Sequence, residues 1–529
     1  MSTSDRTVTP ADGGGYRKLT TGPGEAHVPR TELAAAPERG TAATLLRFVH
    51  LTDFQLADPI SPGRLDFLQR LAGRPGWDGM FPAYRPQELV APQAFEAMIR
   101  TIRETAAADT AFVITTGDNT DNAQYNELLA FLTLLDGGAE FDPLFGATDP
   151  KTHPSHTVSG DFYNPEPASR DRYKREHDFP DAPGALAAAA LPFPARGLGI
   201  PWLACFGNHD CLAQGRAPVS PEFQRLVTGD RRPIDIAGEL PDDPMARYLA
   251  DPTALSGGPA LPIESRADRR LVSPAEYIRA HLDSPALPPG HGFTPDNLAD
   301  DTTYYCYDDI PGVRVIVLDT TNPAGGVTGS IGARQRDWLI DRLTEVHSAH
   351  LDADGATVRT GNRDRVVILA SHHGIAMLDN AIQGHEPRYL AADIEAILHR
   401  FGNVVLWLAG HEHRNSAVPR PGPTGGYWHV ITSGLCEWPC QARTLELLRP
   451  AEGDRLIIRS TMIDHAAPAH PEHDWDLWQL ASLHRELAYN EPTRVGGPHS
   501  AGTPADRNAD LVVPISPTLA AELAALAEQ

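Results

Sequence analysis

Five short clusters of carboxylate, amide and imidazole side chains stand along the 529 residues: Asp53-Phe54-Gln55, Gly117-Asp118-Asn119, Gly207-Asn208-His209-Asp210, Ser371-His372-His373-Gly374 and Gly410-His411-Glu412-His413. Oxygen and imidazole donors of this kind bind divalent cations. Two such cations about 3.5–4 Å apart neutralise phosphate oxygens, lower the pKa of a bridging water and stabilise in-line displacement. The set therefore suits hydrolysis of a phosphate ester. A carboxylate between the cations can bridge both, and Asp118 is the candidate, with Asp121 as its competitor. His411 and His413, two residues apart, face the same way in an extended chain.

Plainer readings exist for single members. An isolated His-x-His is common, and Asn and Asp favour turns without any metal. His373 reads as a neighbour hydrogen-bonded to backbone, and Asp210 as a residue that orients a histidine. His50 and His429 read as structural strand histidines, and Asp319 as a strand-end turn.

Each motif needs an element to carry it. Leu45–Asp53, Ala111–Thr116, Pro201–Phe206, Val366–Ala370 and Val404–Ala409 are apolar runs of strand length, and a motif follows each. Phe95–Ala106 and Gly332–Val346 have helical spacing. Strand, helix, strand implies a right-handed crossover and a layered α/β core, whose ligands gather at the carboxyl ends of strands. Thr303–Tyr307 and Val313–Leu318 add strands, and Tyr427–Ser433, Ala442–Leu448 and Arg455–Met462 read as antiparallel strands closing the sheets. Residues 1–45, rich in Gly, Pro, Ala and Thr, are expected to form a mobile extension. Pro-rich stretches at about 137–199 and 212–299 read as irregular insertions. Asp474–Asn490 is expected as a helix, and the rest of 466–529 as a tail.

The net charge of −24, from 45 basic and 69 acidic residues, argues against a nucleic-acid or anionic-membrane partner. No apolar stretch approaches the roughly 18–20 residues of a membrane span. With no signal-peptide pattern at residues 1–19, a cytoplasmic location is expected. The five cysteines, Cys205, Cys211, Cys306, Cys436 and Cys440, form no disulfide framework.

In that order the five motifs resemble the signature of calcineurin-like metallophosphoesterases. Leu318–Leu343 is similar to a stretch of their cyclic-nucleotide-phosphodiesterase-like branch, a group related to the purple acid phosphatases. The likeness covers about residues 45–463, with the main domain placed at 46–465. It implies a four-layer α/β/β/α sandwich with long irregular insertions. It also implies two metal shells: Asp53, Gln55, Asp118 and His413 for one ion, Asp118, Asn208, His372 and His411 for the other. His209 would orient the phosphate or protonate the leaving oxygen, with Asp210 as its catalytic companion, while metal-bound hydroxide attacks a phosphomonoester, diester or pyrophosphate. The family usually has His where this chain has Gln55. Asp53-Phe54-Gln55-Leu56-Ala57-Asp58 is similar instead to the opening of the manganese-dependent ADP-ribose/CDP-alcohol diphosphatase branch. Its oxygen-rich shell favours Mn²⁺ or Mg²⁺, with Fe and Zn as other choices. The variant tilts the expected small phosphorylated substrate towards nucleotide-like diesters or diphosphates. The opposing expectation is an inactive scaffold of the same fold that binds protein partners, for which only the loss of His at position 55 speaks.

Overall fold

The computed structural model describes residues 1–37, 42–106, 108–149, 153–156, 160–451, 453–494 and 497–527. Its centre is a pair of mixed sheets. One runs, edge to edge, through Val28–Arg30, Ala509–Pro514, Arg455–Asp464, Gln441–Pro450, Ala42–Leu51, Phe112–Thr115 and Trp202–Leu203. The other runs through Tyr305–Tyr307, Val313–Leu318, Val366–Ser371, Val404–Ala409, Tyr427–Ile431 and Ser416–Arg420.

Side chains alternate across a strand, so each sheet has two faces to cover. Along Val313–Leu318, Val313, Val315 and Val317 enter the core shared with the first sheet. Ile316 and Leu318 join Leu339, Leu343, Ile394 and Ile397 on the other face. Those four belong to the helices Ala333–Thr344 and Ala391–Leu398. On the far side of the first sheet lie Ala91–Ala106, which buries Phe95, Met98, Ile99 and Ile102, and Tyr125–Asp136, which buries Leu128, Phe131 and Leu132. The result is the α/β/β/α layering.

Ala42–Leu51, Phe112–Thr115 and Trp202–Leu203 are mutually parallel. So are Val313–Leu318, Val366–Ser371, Val404–Ala409 and Tyr427–Ile431. Parallel strands end at one edge, which collects the loops that follow them. The third strand is shorter than expected, two residues instead of Pro201–Phe206.

Both ends of the chain correct the expectation. The segment taken as a mobile extension pairs Arg6–Pro10 with Leu19–Pro23 and adds Val28–Arg30 to the sheet beside Ala509–Pro514. Thr3 and Leu19 are buried, and Thr3 N–H donates to the Met462 carbonyl. Its Thr- and Pro-rich composition hides strands whose order comes from backbone pairing rather than an apolar face. Residues 38–41 of that segment lie outside the described residues. The expected tail likewise supplies Ala509–Pro514 and the helix Pro517–Ala527, whose Leu511, Val513, Leu519 and Leu523 enter the main core.

In the second insertion, expected to be irregular, several Pro residues open helices. Pro221, Pro244, Pro274 and Pro295 each follow a Ser, Asp or Thr at the helix N-cap, where proline's missing N–H costs nothing. No helix among the described residues is long and apolar enough to cross a membrane.

Candidate metal centre

The motif loops turn sharply as they leave their strands. Asp53 (φ 50°), Gln55 (41°), Asp118 (51°), His411 (67°) and His413 (48°) all occupy the left-handed region. That conformation costs a side-chain-bearing residue about 1–3 kcal/mol and persists where surrounding structure enforces it. Five of the seven expected ligands thus sit on strained backbone. Glycine makes room for them: a Cβ on Gly207 would lie 2.3 Å from Asp118 Oδ1, and one on Gly410 2.6 Å from Asp53 Oδ2.

Residues far apart in sequence meet here. Asp118 Oδ2 lies 3.1 Å from His372 Nε2, and His372 Nε2 lies 3.2 Å from His411 Nδ1. Asp53 accepts from the His411 backbone N–H at 3.0 Å and faces His413 Nε2 at 3.2 Å. Asp53, Asp118 and His372 each offer a ligand atom within 4.8 Å of the others. Gln55 Nε2 stands 3.4 Å from Asp118 Oδ2, with its Oε1 3.5 Å from Cys436 Sγ. A half-turn of the amide exchanges the two atoms and turns the oxygen to the Asp118 side.

Asn208 provides the test of fit. Its Nδ2 donates to the Gly215 carbonyl at 2.9 Å, while its Oδ1 is buried with no hydrogen-bond partner among the described residues. A buried amide oxygen left open is costly unless something electropositive meets it. Asn208, Gln55, Asp118, His411 and His413 line one cavity of about 460 Å³. The oxygen and imidazole donor set fits a divalent cation.

Electrostatics point the same way. Burial pushes the Asp118 carboxyl up, but the opposing groups, led by His372 through its charge and hydrogen bond, hold it well below the usual carboxylate range. Asp53 is likewise lowered against its burial, chiefly by His413. Burial and then His372 push His411 down to about 3, leaving a neutral ring with one unprotonated nitrogen.

His209 Nδ1 lies 2.6 Å from the Asp121 carbonyl, to which it can only donate. This fixes the neutral tautomer with its lone pair on Nε2, 4.0 Å from Asp118 Oδ2. Asp121 is not a competitor for the bridge, because its Oδ2 accepts from Gln214 Nε2 at 2.7 Å and meets Arg64 at 3.4 Å. His373 has both nitrogens engaged, Nδ1 with Thr320 Oγ1 (2.9 Å) and Nε2 with the Val327 carbonyl (3.2 Å).

The expected role of Asp210 is corrected. Its carboxylate does not touch the His209 ring. It accepts from the N–H groups of Asn119, Thr120 and Gly207 at 2.9–3.0 Å, tying the second and third motif loops together. Burial, then the charge of Asp118, pushes its pKa up to about 7.

Three side chains were missed from sequence. Glu437 Oε2 backs His413 Nδ1 at 3.4 Å, and Arg85 Nε holds Glu437 Oε1 at 2.6 Å. Cys436 Sγ is 4.0 Å from His413 Nδ1. Their signal was position: the loop after Tyr427–Ile431 leaves the same parallel edge as the histidine loops.

Among solved structures, the chain is similar to a dimetal phosphatase from Danio rerio, at 12% identity over 80% of this chain and 100% of that one, with a TM-score of 0.35. It is also similar to PhoD, at 12% identity over 84% of this chain and 70% of that one, with a TM-score of 0.28. No family model matches the sequence, and no curated protein does.

Proposed function

We propose that this chain is a metal-dependent phosphoesterase that hydrolyses a small phosphorylated compound at a dinuclear centre. One observation carries the reading. Side chains spread from Asp53 to His413 meet within about hydrogen-bonding distance, most of them on strained backbone, and Asn208, whose buried Oδ1 has no partner among the described residues, lines one cavity with Gln55, Asp118, His411 and His413. Asp53, Gln55, Asp118 and His413 would hold one cation, and Asp118, Asn208, His372 and His411 the other. Bound there, the pair would neutralise phosphate oxygens and lower the pKa of a water. Manganese is the expected ion, given the amide and carboxylate oxygens.

The chain's own groups divide the remaining work. Asp118 and Asp53, kept ionised, hold negative charge where cations gather. His372 Nδ1–H donates to the Thr116 carbonyl at 2.8 Å, which turns Nε2 towards Asp118. His209, locked by the Asp121 carbonyl, moves a proton at Nε2, and its place beside the cavity suits it to protonate the leaving oxygen. Phe81, Pro82, Val327 and Met377 add apolar side chains to the cavity lining.

Elemental analysis of the purified chain, followed by a screen of phosphomonoesters, diesters and nucleoside diphosphates with added Mn²⁺, tests the reading. About two ions per chain and turnover of at least one class are expected. A chain with no metal and no turnover would be the inactive scaffold instead.

A further inference from the structure

Four arginines line the cavity: Arg64, Arg85, Arg216 and Arg414. Three of them are committed to acids. Arg64 pairs with Glu88 and, at 3.4 Å, with Asp121. Arg85 pairs with Glu437 at 2.6 Å, and Arg414 with Glu412 at 2.5 Å. Arg216 makes no ion pair among the described residues. Its Nη1 donates to the Gln214 carbonyl at 2.7 Å and its Nε to the Gly79 carbonyl at 3.3 Å.

Carbonyls satisfy donors without cancelling charge. Arg216 is half-buried, and desolvation pulls its pKa below the usual guanidinium value. A desolvated guanidinium with no paired acid attracts an incoming anion strongly, and its planar fork matches the anion's geometry.

The surrounding turn fixes Arg216 against the catalytic loop. Gly215 (φ +65°) packs so closely that a Cβ there would lie 2.3 Å from His209 Nε2, and its carbonyl holds Asn208 Nδ2. Gln214 binds Asp121, whose own carbonyl holds His209. On the other side the Arg216 carbonyl accepts from Gly326 N–H at 2.7 Å. The guanidinium is therefore attached one residue from the atoms that pack on His209.

We propose that Arg216 binds a non-bridging oxygen of the substrate's phosphoryl group and thereby selects terminal phosphates, those of monoesters or diphosphate ends, over diesters. The inference rests on the phosphoesterase reading above. A terminal phosphoryl group has three non-bridging oxygens, so two cations can each take one and leave a third for the guanidinium. A diester has only two. This narrows the tilt towards nucleotide-like diesters or diphosphates to the compounds with a terminal phosphate.

Calorimetric titration of the manganese-loaded chain with inorganic phosphate and with dimethyl phosphate tests this, comparing wild type with Arg216→Met and Arg216→Lys. Removing the charged fork should weaken inorganic phosphate about 10- to 100-fold and dimethyl phosphate less than about twofold, with Arg216→Lys between. Inorganic phosphate bound equally by all three proteins, or both ligands weakened alike, would overturn the proposal. Manganese content and melting temperature certify each variant. If Arg216→Met falls short, Arg216→Gln, which keeps donors for the Gln214 and Gly79 carbonyls without the charge, makes the same comparison. Failure of the phosphoesterase reading would look different, as a wild-type chain that takes up no cation at all. Phosphate titrated into that metal-free chain would still read Arg216.

Discussion

On one side of Asp118 stand Asn208, His372 and His411; on the other stand Asp53, Gln55 and His413. The first group is open. Among the described residues Asn208 Oδ1 has no partner, His411 is a neutral ring, and His372 is backed by the Thr116 carbonyl. The second group is engaged and supported from behind. Asp53 accepts from Thr52 Oγ1 at 2.8 Å, Gln55 touches Cys436, and His413 is backed by the buried Glu437, itself held by Arg85. A carboxylate behind an imidazole raises its strength as a ligand more than a carbonyl does. Each side carries one amide, Asn208 on the first and Gln55 on the second, and a carboxylate backs an imidazole on the second, where Glu437 meets His413. The two halves are thus built differently, and Asp118 Oδ2 stands between them, 3.1 Å from His372 Nε2 and 3.4 Å from Gln55 Nε2.

That shared position makes Asp118 the largest lever. Asp118→Asn removes a buried charge from both halves, so elemental analysis should find neither ion and turnover should be abolished. Retention of one ion per chain would show that the halves are independent and that Asp118 serves only one. His209→Ala separates chemistry from binding. Metal content should stay at the wild-type level while kcat falls about 10²–10⁴-fold. Loss of metal in this variant would move His209 into the ligand set.

How much of this comparison could be read in the sequence depends on which contacts are local. Asp53, Asp118, Asn208, His372 and His411 each follow an apolar run closely, and three have glycine immediately before them, so their loops and their common edge were legible. The backing groups were not. Glu437 reaches Arg85 across 352 residues, and neither side chain lies in a motif. Arg216 lies in an insertion whose helices begin at prolines that read equally well as turns. Asp210 was misread because the residue types allow either task, and only the structure shows its carboxylate on the Asn119–Thr120 turn. The N-terminal strands escaped because hydrogen bonds to Met462 and to Ala509–Pro514 leave no periodicity in the chain itself.

Glu437→Gln tests the unequal backing. It should weaken manganese about 10- to 100-fold at one of the two sites and leave the other within a factor of two. Equal weakening at both would mean that Glu437 supports the centre as a whole. Acidity offers a milder probe. Burial pushes His372 down, yet Asp118 outweighs it and raises its pKa to about 9, so at neutral pH a cation binding there would displace a proton. His411, lowered to about 3, has none to lose. Loading at the Asn208 side should therefore tighten by up to about tenfold per pH unit as pH rises from 6 towards 9. A flat profile would remove His372 from the ligands.

Gln55→His asks whether backing and donor strength trade against each other. Imidazole is a stronger donor than an amide oxygen and suits softer ions. If Glu437 offsets the weak amide, replacing that amide should add only a few-fold to manganese affinity in the wild-type background. The same replacement should restore most of the loss in Glu437→Gln. Competition with zinc should shift towards zinc in both. Paired titrations of the single and double variants read the coupling directly. Strictly additive effects would show that the two residues act independently and that Glu437 does not offset the Gln55 amide, even if the enzyme still turned over.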